Sequence, residues 1–373
     1  MRNRNYNNAG IEKRDSEKGI VLVIVIIVIA VLMILVTDLI YFTEIDTEIS
    51  SNTRDELKAK YIAKSGVHVA AGTLKERPLE ELAQVTSAMS GQTQNPDGFW
   101  EINVPFFPVG DGSVSVTVTD ERAKVNLNSL VNSRTDIVDQ QVLTELRELF
   151  RFLNVDNTKS DRFISSLINW LDAPIEGAQN DQDPAGANGD FYAHLKNPYK
   201  IKDGPLDTVE EIRMIDGMDD DFYNKIKDYV TVYPSDKKIN FSTAPRVVLM
   251  AAIKAASVSA IARQGNSSAN EIDDDTAGQI ADQIIEARKD TPIIDQRKIR
   301  EIVKEVAPDA TISAGIIGVS LNGGESETFT VRSVGSLGEV TPTQRIIIAV
   351  IKKTRLNTRN NQSVVKIVTW KEL

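Results

Sequence analysis

From Ile20 to Val36 every position is apolar, and Leu39 to Phe42 prolong the run past the single charge of Asp38. A helix needs about 17 to 25 such residues to cross a bilayer, so this segment is long enough to span. Beyond it the pattern changes to apolar positions set among charges: Ile45, Ile49, Leu57, Tyr61, Ile62, Val67 and Val69, with no proline before Pro78. That spacing predicts one continuous helix from Ile20 to about Leu74, its second half amphipathic and packed on a folded domain. Glycine, proline and asparagine accumulate from Ala88 to Gly112. Val114, Val116 and Val118 then alternate with Ser115, Thr117 and Thr119, which predicts a half-buried strand. From Asp120 to about Ile312 the period turns helical, with helices expected over Val138 to Leu153, Asp161 to Leu171, Thr208 to Ile215, Asp221 to Val230, Pro245 to Ile261, Asp275 to Arg288 and Gln296 to Val306. Strands return at Thr328 to Val334, Arg345 to Lys352 and Ser363 to Thr369. A helical block thus interrupts an α+β domain built from both ends of the chain. The expected boundaries are 1–19 for a leader, 20–42 for the membrane segment, 43–119 and 313–373 for the α+β domain, and 120–312 for the insertion.

Charge orients the apolar segment. Arg2, Arg4, Lys13, Arg14 and Lys18 precede it, whereas Asp38, Glu44, Asp46 and Glu48 lie near its far end. The positive-inside bias leaves the N-terminus cytoplasmic and the bulk outside. The net charge of −10 over 373 residues argues against a general nucleic-acid binder, which needs Lys and Arg clustered on one face. With no cysteine there are no disulfides, thiolate metal sites or cysteine nucleophiles.

Glu17-Lys18-Gly19 meets the apolar run directly, and the small residue Gly19 precedes that run. A secretory signal places its small-residue site after the apolar core. Cutting between Gly19 and Ile20 would leave the hydrophobic helix as the new N-terminus, which is the logic of a type IV prepilin. The competing reading is an uncleaved anchor in which the glycine falls there by chance.

Further landmarks follow in order: Asp120-Glu121-Arg122-Ala123-Lys124-Val125-Asn126-Leu127-Asn128, Leu167-Ile168-Asn169-Trp170-Leu171-Asp172, Asn197-Pro198-Tyr199, Gly204-Pro205-Leu206, Glu210-Glu211-Ile212-Arg213, Tyr229-Val230-Thr231-Val232, and Ile239-Asn240-Phe241-Ser242-Thr243-Ala244-Pro245. In this order the chain resembles the general secretion pathway protein K family, minor pseudopilins of bacterial type II secretion. The resemblance implies an α+β, type IV pilin-like fold, a long N-terminal helix plus an antiparallel sheet, carrying a large inserted α-helical domain with helix-hairpin-helix or SAM-like units. It implies a bacterial inner-membrane protein with one pass and a periplasmic C-terminal domain, processed by a prepilin peptidase. Its implied place is the pseudopilus tip, with I-type and J-type minor pseudopilins and the major pseudopilin as partners. Secreted proteins and the outer-membrane secretin are further implied contacts, and nucleic acid is not. Most pilins carry a Glu five residues into the mature chain, where it neutralises a neighbour's buried ammonium. Here Ile24 occupies that position, so this subunit cannot serve a subunit ahead of it and is expected to be first. A minor pilin of a type IV pilus or DNA-uptake filament is the alternative.

Between Phe163 and Leu195 there is no Lys or Arg, while Asp172, Glu176, Asp181, Asp183 and Asp190 are joined by Asn188. Hard oxygen donors without cysteine suit Ca²⁺. An EF-hand does not fit, because Ala185 follows the acidic pair and Tyr192 falls at the twelfth position. The resemblance implies calcium ligands after the Trp-Leu-Asp segment and in the 186–192 turn. Pro174 and Asn188 stand where the family commonly has acids, which lowers the ligand charge; a solvated acidic loop is the other reading.

Ile212 to Val230 around Gly217, and Ala277 to Val306 around Asp290-Thr291-Pro292, read as helix-hairpin-helix units. Asp216, Asp219, Asp220 and Asp221 would repel phosphate at the first of them, which favours a structural or protein-binding hairpin. Asp219 to Asp221 and Asp273 to Asp275 suit helix N-termini. Walker, GxSxG and HExxH motifs are absent, and His68 and His194 are the only imidazoles, so no enzymatic role is expected. Trp100, Trp170 and Trp370 read as core or interface anchors.

Overall fold

The computed structural model of the chain describes residues 12–77, 81, 101–132, 135–172, 185–233, 236–264, 272–291, 293–308, 326–338, 341–355 and 363–373. It divides into two units, residues 1–59 and 60–373. Helix α1 (Glu12–Glu76) begins in the first and ends in the second.

In the first unit the large apolar side chains from Ile20 to Phe42 are exposed, and this helix is long and apolar enough to cross a membrane. Thr37, Thr43 and Thr47 donate their hydroxyls to carbonyls four residues back, at 2.8, 2.7 and 2.7 Å, so these polar groups are satisfied within the helix.

In the second unit a five-stranded antiparallel sheet has the order β1 (Glu101–Val109), β2 (Gly112–Asp120), β5 (Thr328–Leu337), β6 (Thr343–Arg355), β7 (Ser363–Glu372). Ala63, Val67, Ala70 and Leu74 of α1 recur every three to four residues and form the helix's buried stripe. They pack with Ile102, Val118, Phe329, Val331, Ile347, Ala349 and Ile351 of the sheet in one apolar cluster. The alternation predicted in β2 is therefore the pleat of a central strand.

A second and larger core belongs to the helical segment between β2 and β5, where the described helices are α2 (Gln140–Phe152), α3 (Asn157–Leu171), α4 (Gly189–Ala193), α5 (Asp220–Ile226), α6 (Arg246–Gln264), α7 (Asp274–Asp290) and α8 (Gln296–Val306). Asp139, Asp156, Asp219, Asp273 and Asp295 each accept backbone amide hydrogen bonds at a helix N-terminus, and together they start five of these helices. Phe150, Phe163 and Phe222 meet with ring centroids 5.1 to 6.0 Å apart and lock α2, α3 and α5 together.

Several local expectations change. Residues 101–109 form the edge strand β1 inside what reads as a proline-rich connection. Edge position explains the tolerance: Pro105 and Pro108 lack the N–H that an inner strand would need, and the register slips between Val104 and Phe107. The helix expected over Thr208 to Ile215 is a 3-10 turn, Val209–Met214. The helix expected to reach Val230 ends at Ile226, because Val230–Thr231 (β4) pairs in parallel with Val125–Asn126 (β3). That short ladder joins segments more than a hundred residues apart, which no local period reveals.

Glu145 on α2 is buried, and burial pushes its carboxyl up to about 8. The hydrogen bond from Gln141 and the charge of Lys237 oppose the shift, while Asp139 adds to it. A carboxyl whose folded pKa is raised contributes stability that is complete below the unfolded value of 4.5 and lost as pH rises through the folded value. Glu145→Gln is therefore expected to flatten the loss of stability between about pH 5 and 9, where every tenfold change in proton affinity is worth about 1.4 kcal/mol. Parallel thermal melts of both proteins across that range check it; equal slopes would refute it.

Candidate assembly and metal-binding surfaces

The chain leaves the sheet at Asp120, the last residue of β2, and comes back just before β5. Asp120 is fully buried and its carboxylate gathers donors from both crossings. Its own strand end supplies the Arg122 amide at 2.9 Å. The turn before α6 supplies Asn240 Nδ2 at 3.0 Å and Thr243 Oγ1 at 2.6 Å, and the returning segment supplies the Ser326 hydroxyl. Burial raises the carboxyl above its usual range, against the four hydrogen bonds that pull it down.

Glu121 does the same in the other direction. Burial pushes it up, but the Lys124 charge and the hydrogen bonds from Thr231, Lys124 and Thr330 outweigh that, so it lies below the usual range. Lys124 Nζ stands 2.9 Å from it and Thr330 Oγ1 of β5 donates at 2.7 Å. Arg122, also buried, reaches Asp236 at 2.9 Å, and its carbonyl accepts the Asn240 amide at 2.8 Å. Asn128 donates to the carbonyls of Leu206 and Val232 at 2.9 and 3.0 Å and accepts from the Leu206 amide at 2.7 Å. Four of the sequence landmarks, spread over more than a hundred residues, thus converge on one polar clasp between sheet and insertion. Apart from Lys124 and the Arg122 amide, the side-chain partners of this acid pair lie that far away and leave no signature in local hydropathy.

The first hairpin is structural. Gly217 has φ +88°, and a Cβ there would lie 2.7 Å from the Phe163 amide nitrogen, so the turn sits directly on the backbone of α3. Its acids are answered from within the chain: Asp216 takes both Arg162 Nε and Nη2, at 2.5 and 2.9 Å, Asp219 takes Lys159 Nζ at 2.5 Å, and Arg213 donates to Asp220.

Three of the six nominated metal ligands, Glu176, Asp181 and Asp183, lie outside the described residues. Asp172 ends α3 with its side chain buried, while Asn188 and Asp190 are exposed. The 185–190 turn is pinned to α3: the Ala187 amide donates to Ser166 Oγ at 3.1 Å and Asn169 Nδ2 donates to the Ala187 carbonyl at 3.3 Å. A Cβ at Gly186 would stand 2.3 Å from the Ser165 carbonyl, so only glycine allows this approach. Asn169 is one helical turn before Asp172, so Asp172 and the pinned 185–190 turn lie toward the same end of α3. Asn188 Oδ1 caps α4 by accepting the Phe191 amide at 3.1 Å. Among the described residues no three His, Asp or Glu side chains form a metal-holding group. Gly19 and Ile20 both lie in α1 and are exposed. Trp170 is buried, donating to Glu211 Oε1 at 3.1 Å, and Trp370 packs at the margin of the sheet core beside His68; Trp100 lies outside the described residues.

Comparison with known proteins agrees with this architecture. Residues 123–235 match the family "Type II secretion system (T2SS), protein K", and residues 18–68 match "PilX N-terminal". A type II secretion system protein K from Pectobacterium carotovorum subsp. carotovorum is 25% identical over 238 residues, 62% of this chain and 67% of that protein. The protein of the same name from Klebsiella pneumoniae is 26% identical over 246 residues, 64% of this chain and 70% of that one. A chain in the crystal structure of the GspK-GspI-GspJ complex from enterotoxigenic Escherichia coli superposes with a TM-score of 0.56 at 17% identity, covering 87% of this chain and 98% of that chain, which is a likeness of fold. With a long apolar N-terminal helix, an antiparallel sheet interrupted by a helical insertion, and these matches in both parts, the chain is similar to type II secretion system protein K.

Proposed function

We propose that this chain is a minor pseudopilin that takes the tip of a type II secretion pseudopilus, starting assembly with I-type and J-type minor pseudopilins for the export of folded proteins. The observation that carries the tip position is Ile24. It leaves the spanning helix without the acid that would neutralise the ammonium of a preceding subunit. The basic leader orients the helix with the N-terminus cytoplasmic and the folded unit periplasmic, and processing between Gly19 and Ile20 by a prepilin peptidase then removes the leader. The work is assembly rather than catalysis: helix packing in the membrane, and an insertion carried at the outer end toward secreted proteins or the secretin.

The test is the intact mass and N-terminal sequence of the protein expressed with and without a prepilin peptidase. A peptidase-dependent terminus at Ile20 is expected, and an intact leader in both cases would remove the pilin-class reading. The match of residues 18–68 also favours, as a second reading, a minor pilin of a type IV pilus. Co-purification with two other minor pseudopilins separates the two.

Calcium is the proposed ion of the insertion. Asp172 and the pinned 186–190 turn would hold it together with Glu176, Asp181 and Asp183, all hard oxygen donors, and bound Ca²⁺ would neutralise their mutual repulsion. Millimolar Ca²⁺ is expected to raise the melting temperature of the full chain relative to chelator, by roughly 2.7 kcal/mol of stabilisation at a hundredfold excess over Kd. Identical melts in both conditions would exclude a structural ion.

A further inference from the structure

We propose that the free edge of β7, from Ser363 to Val368, takes up an extended acidic segment of a partner protein, whose carboxylate sits at Lys352 and Lys366. These two lysines stand directly opposite each other on the neighbouring strands β6 and β7. Like charges in such a cross-strand pair repel and weaken the pairing. Neither lysine side chain has a hydrogen bond or ion pair among the described residues. Nearby lysines are treated differently: Lys371 meets Glu210 at 2.7 Å and Lys60 meets Glu372 at 2.7 Å. The net charge of the chain is −10, so carboxylates are plentiful, yet no described one answers this pair. Edge protection accounts for only one of the two. Lysine on an edge strand discourages unwanted pairing, but Lys352 belongs to β6, which is paired on both sides and has no edge to guard.

The edge beside them can receive a strand. β7 is hydrogen-bonded to β6 and to no other described strand, and unlike β1 it contains no proline, so its outward backbone groups can continue the ladder. The register shift opposite Val350 and Ile351 leaves Val368 as the extra residue of a bulge, where the regular stretch ends. Val364 and Val368 are 44% and 45% exposed on either side of Lys366, while Val365 and Ile367 pack on the sheet core. A complementary strand therefore carries Asp or Glu between apolar residues at alternate positions. A second copy of this chain does not fit, because antiparallel self-pairing that matches Val364 with Val368 sets Lys366 against Lys366. Phosphate or an anionic lipid surface would answer the lysines but leave the backbone edge and the two valines unused, which favours a protein strand.

The experiment places p-benzoylphenylalanine at position 364 of the full-length chain in the cells that make it, with the crosslinked segment mapped by mass spectrometry. Irradiation is expected to join the chain to a segment that holds Asp or Glu between apolar residues. Lys366→Glu should cut the yield of that adduct roughly fivefold or more, and Lys in place of the mapped acid should recover part of it. In the detergent-extracted chain alone the same variant is expected to act in the opposite sense. It gives Lys352 an acidic neighbour and should raise the melting temperature by about 1–3 °C. That opposition separates a docking role from a structural one, for which adduct and stability would change together. No adduct, an adduct only with lipid or with another copy of this chain, or one with a segment lacking acids would overturn the proposal. So would an undiminished adduct in a Lys366→Glu chain that melts normally.

Discussion

Asp120→Ala is expected to lower the unfolding free energy of the folded unit by about 3–5 kcal/mol, because several buried donors lose their acceptor together. The change strands four donors at once: the Arg122 amide, Asn240 Nδ2, and the hydroxyls of Thr243 and Ser326. Each buried donor left without an acceptor is worth about 1–3 kcal/mol, and partial rearrangement of the hydroxyls keeps the sum below the full total. Asp120→Asn should be no milder than half of this, because its new amide group faces the Asn240 amide as donor against donor. Denaturant unfolding of the full chain in detergent, followed by circular dichroism, measures both. A loss under about 1 kcal/mol for Asp120→Ala would mean the carboxylate is not what binds the insertion to the sheet. Because β2 and β5 lie on either side of that carboxylate, the variant should also loosen the insertion first, seen as proteolytic cleavage within 121–326 before the sheet is cut.

Arg288→Ala is expected to cost a similar amount, about 3–5 kcal/mol, because two buried carbonyls lose a charged donor and the stem's packing is lost with it. Arg288 sits near the end of α7 with only 5% of its surface exposed. Its guanidinium donates to the Phe241 carbonyl from Nε at 3.0 Å and from Nη2 at 2.5 Å, and to the Ala244 carbonyl at 2.7 Å. Burial lowers its pKa to about 9, which still leaves it charged at neutral pH. The carbonyls it serves lie in the same turn that presents Asn240 and Thr243 to Asp120. Arg288→Met would keep the stem's packing and lose only the charged head, so it should recover part of the deficit. Additivity is the sharper measurement. If the turn is a single cooperative piece, the double variant with Asp120→Ala should fall short of the summed losses by about 0.5 kcal/mol or more, as contacting sites do. Strict additivity would show that the two anchors act independently.

These two anchors matter for a subunit whose proposed work is assembly, with the insertion held on the sheet. An inserted domain is joined to its host by two chain crossings, and force on it would otherwise be carried by those crossings alone. Here a buried carboxylate cross-links them, and the Lys371–Glu210 pair at 2.7 Å adds a second tie between β7 and the insertion. Surface pairs of this sort contribute little by themselves, so the buried clasp dominates.

Much of the architecture was readable as local pattern. The apolar run from Ile20, the unbroken helix that follows it, the alternation at Val114, Val116 and Val118, and the helix from Gln296 to Val306 each carry a period that survives folding unchanged. Asp219 and Asp273 were legible as caps because capping is a contact between near neighbours. The candidate calcium residues were legible only as an acidic composition; the structure adds that the 185–190 turn is pinned to the end of α3, and Glu176, Asp181 and Asp183 lie outside what it describes.

Other features belong to the tertiary structure alone. Whether Val104 to Val109 is a loop or an edge strand depended on β2 being available beside it, since prolines argue against any strand that is paired on both sides. Asp120 and Glu121 look like surface residues in the sequence, because acids are seldom buried unless partners compensate them. Lys124 and the Arg122 amide supply part of their compensation locally, and the rest comes from Thr231, Asn240, Thr243, Ser326 and Thr330, more than a hundred residues away. Periodicity and capping act over a few residues and are written directly in the order of side chains. Burial, strand pairing and the clasp depend on which distant segments the closed core brings together.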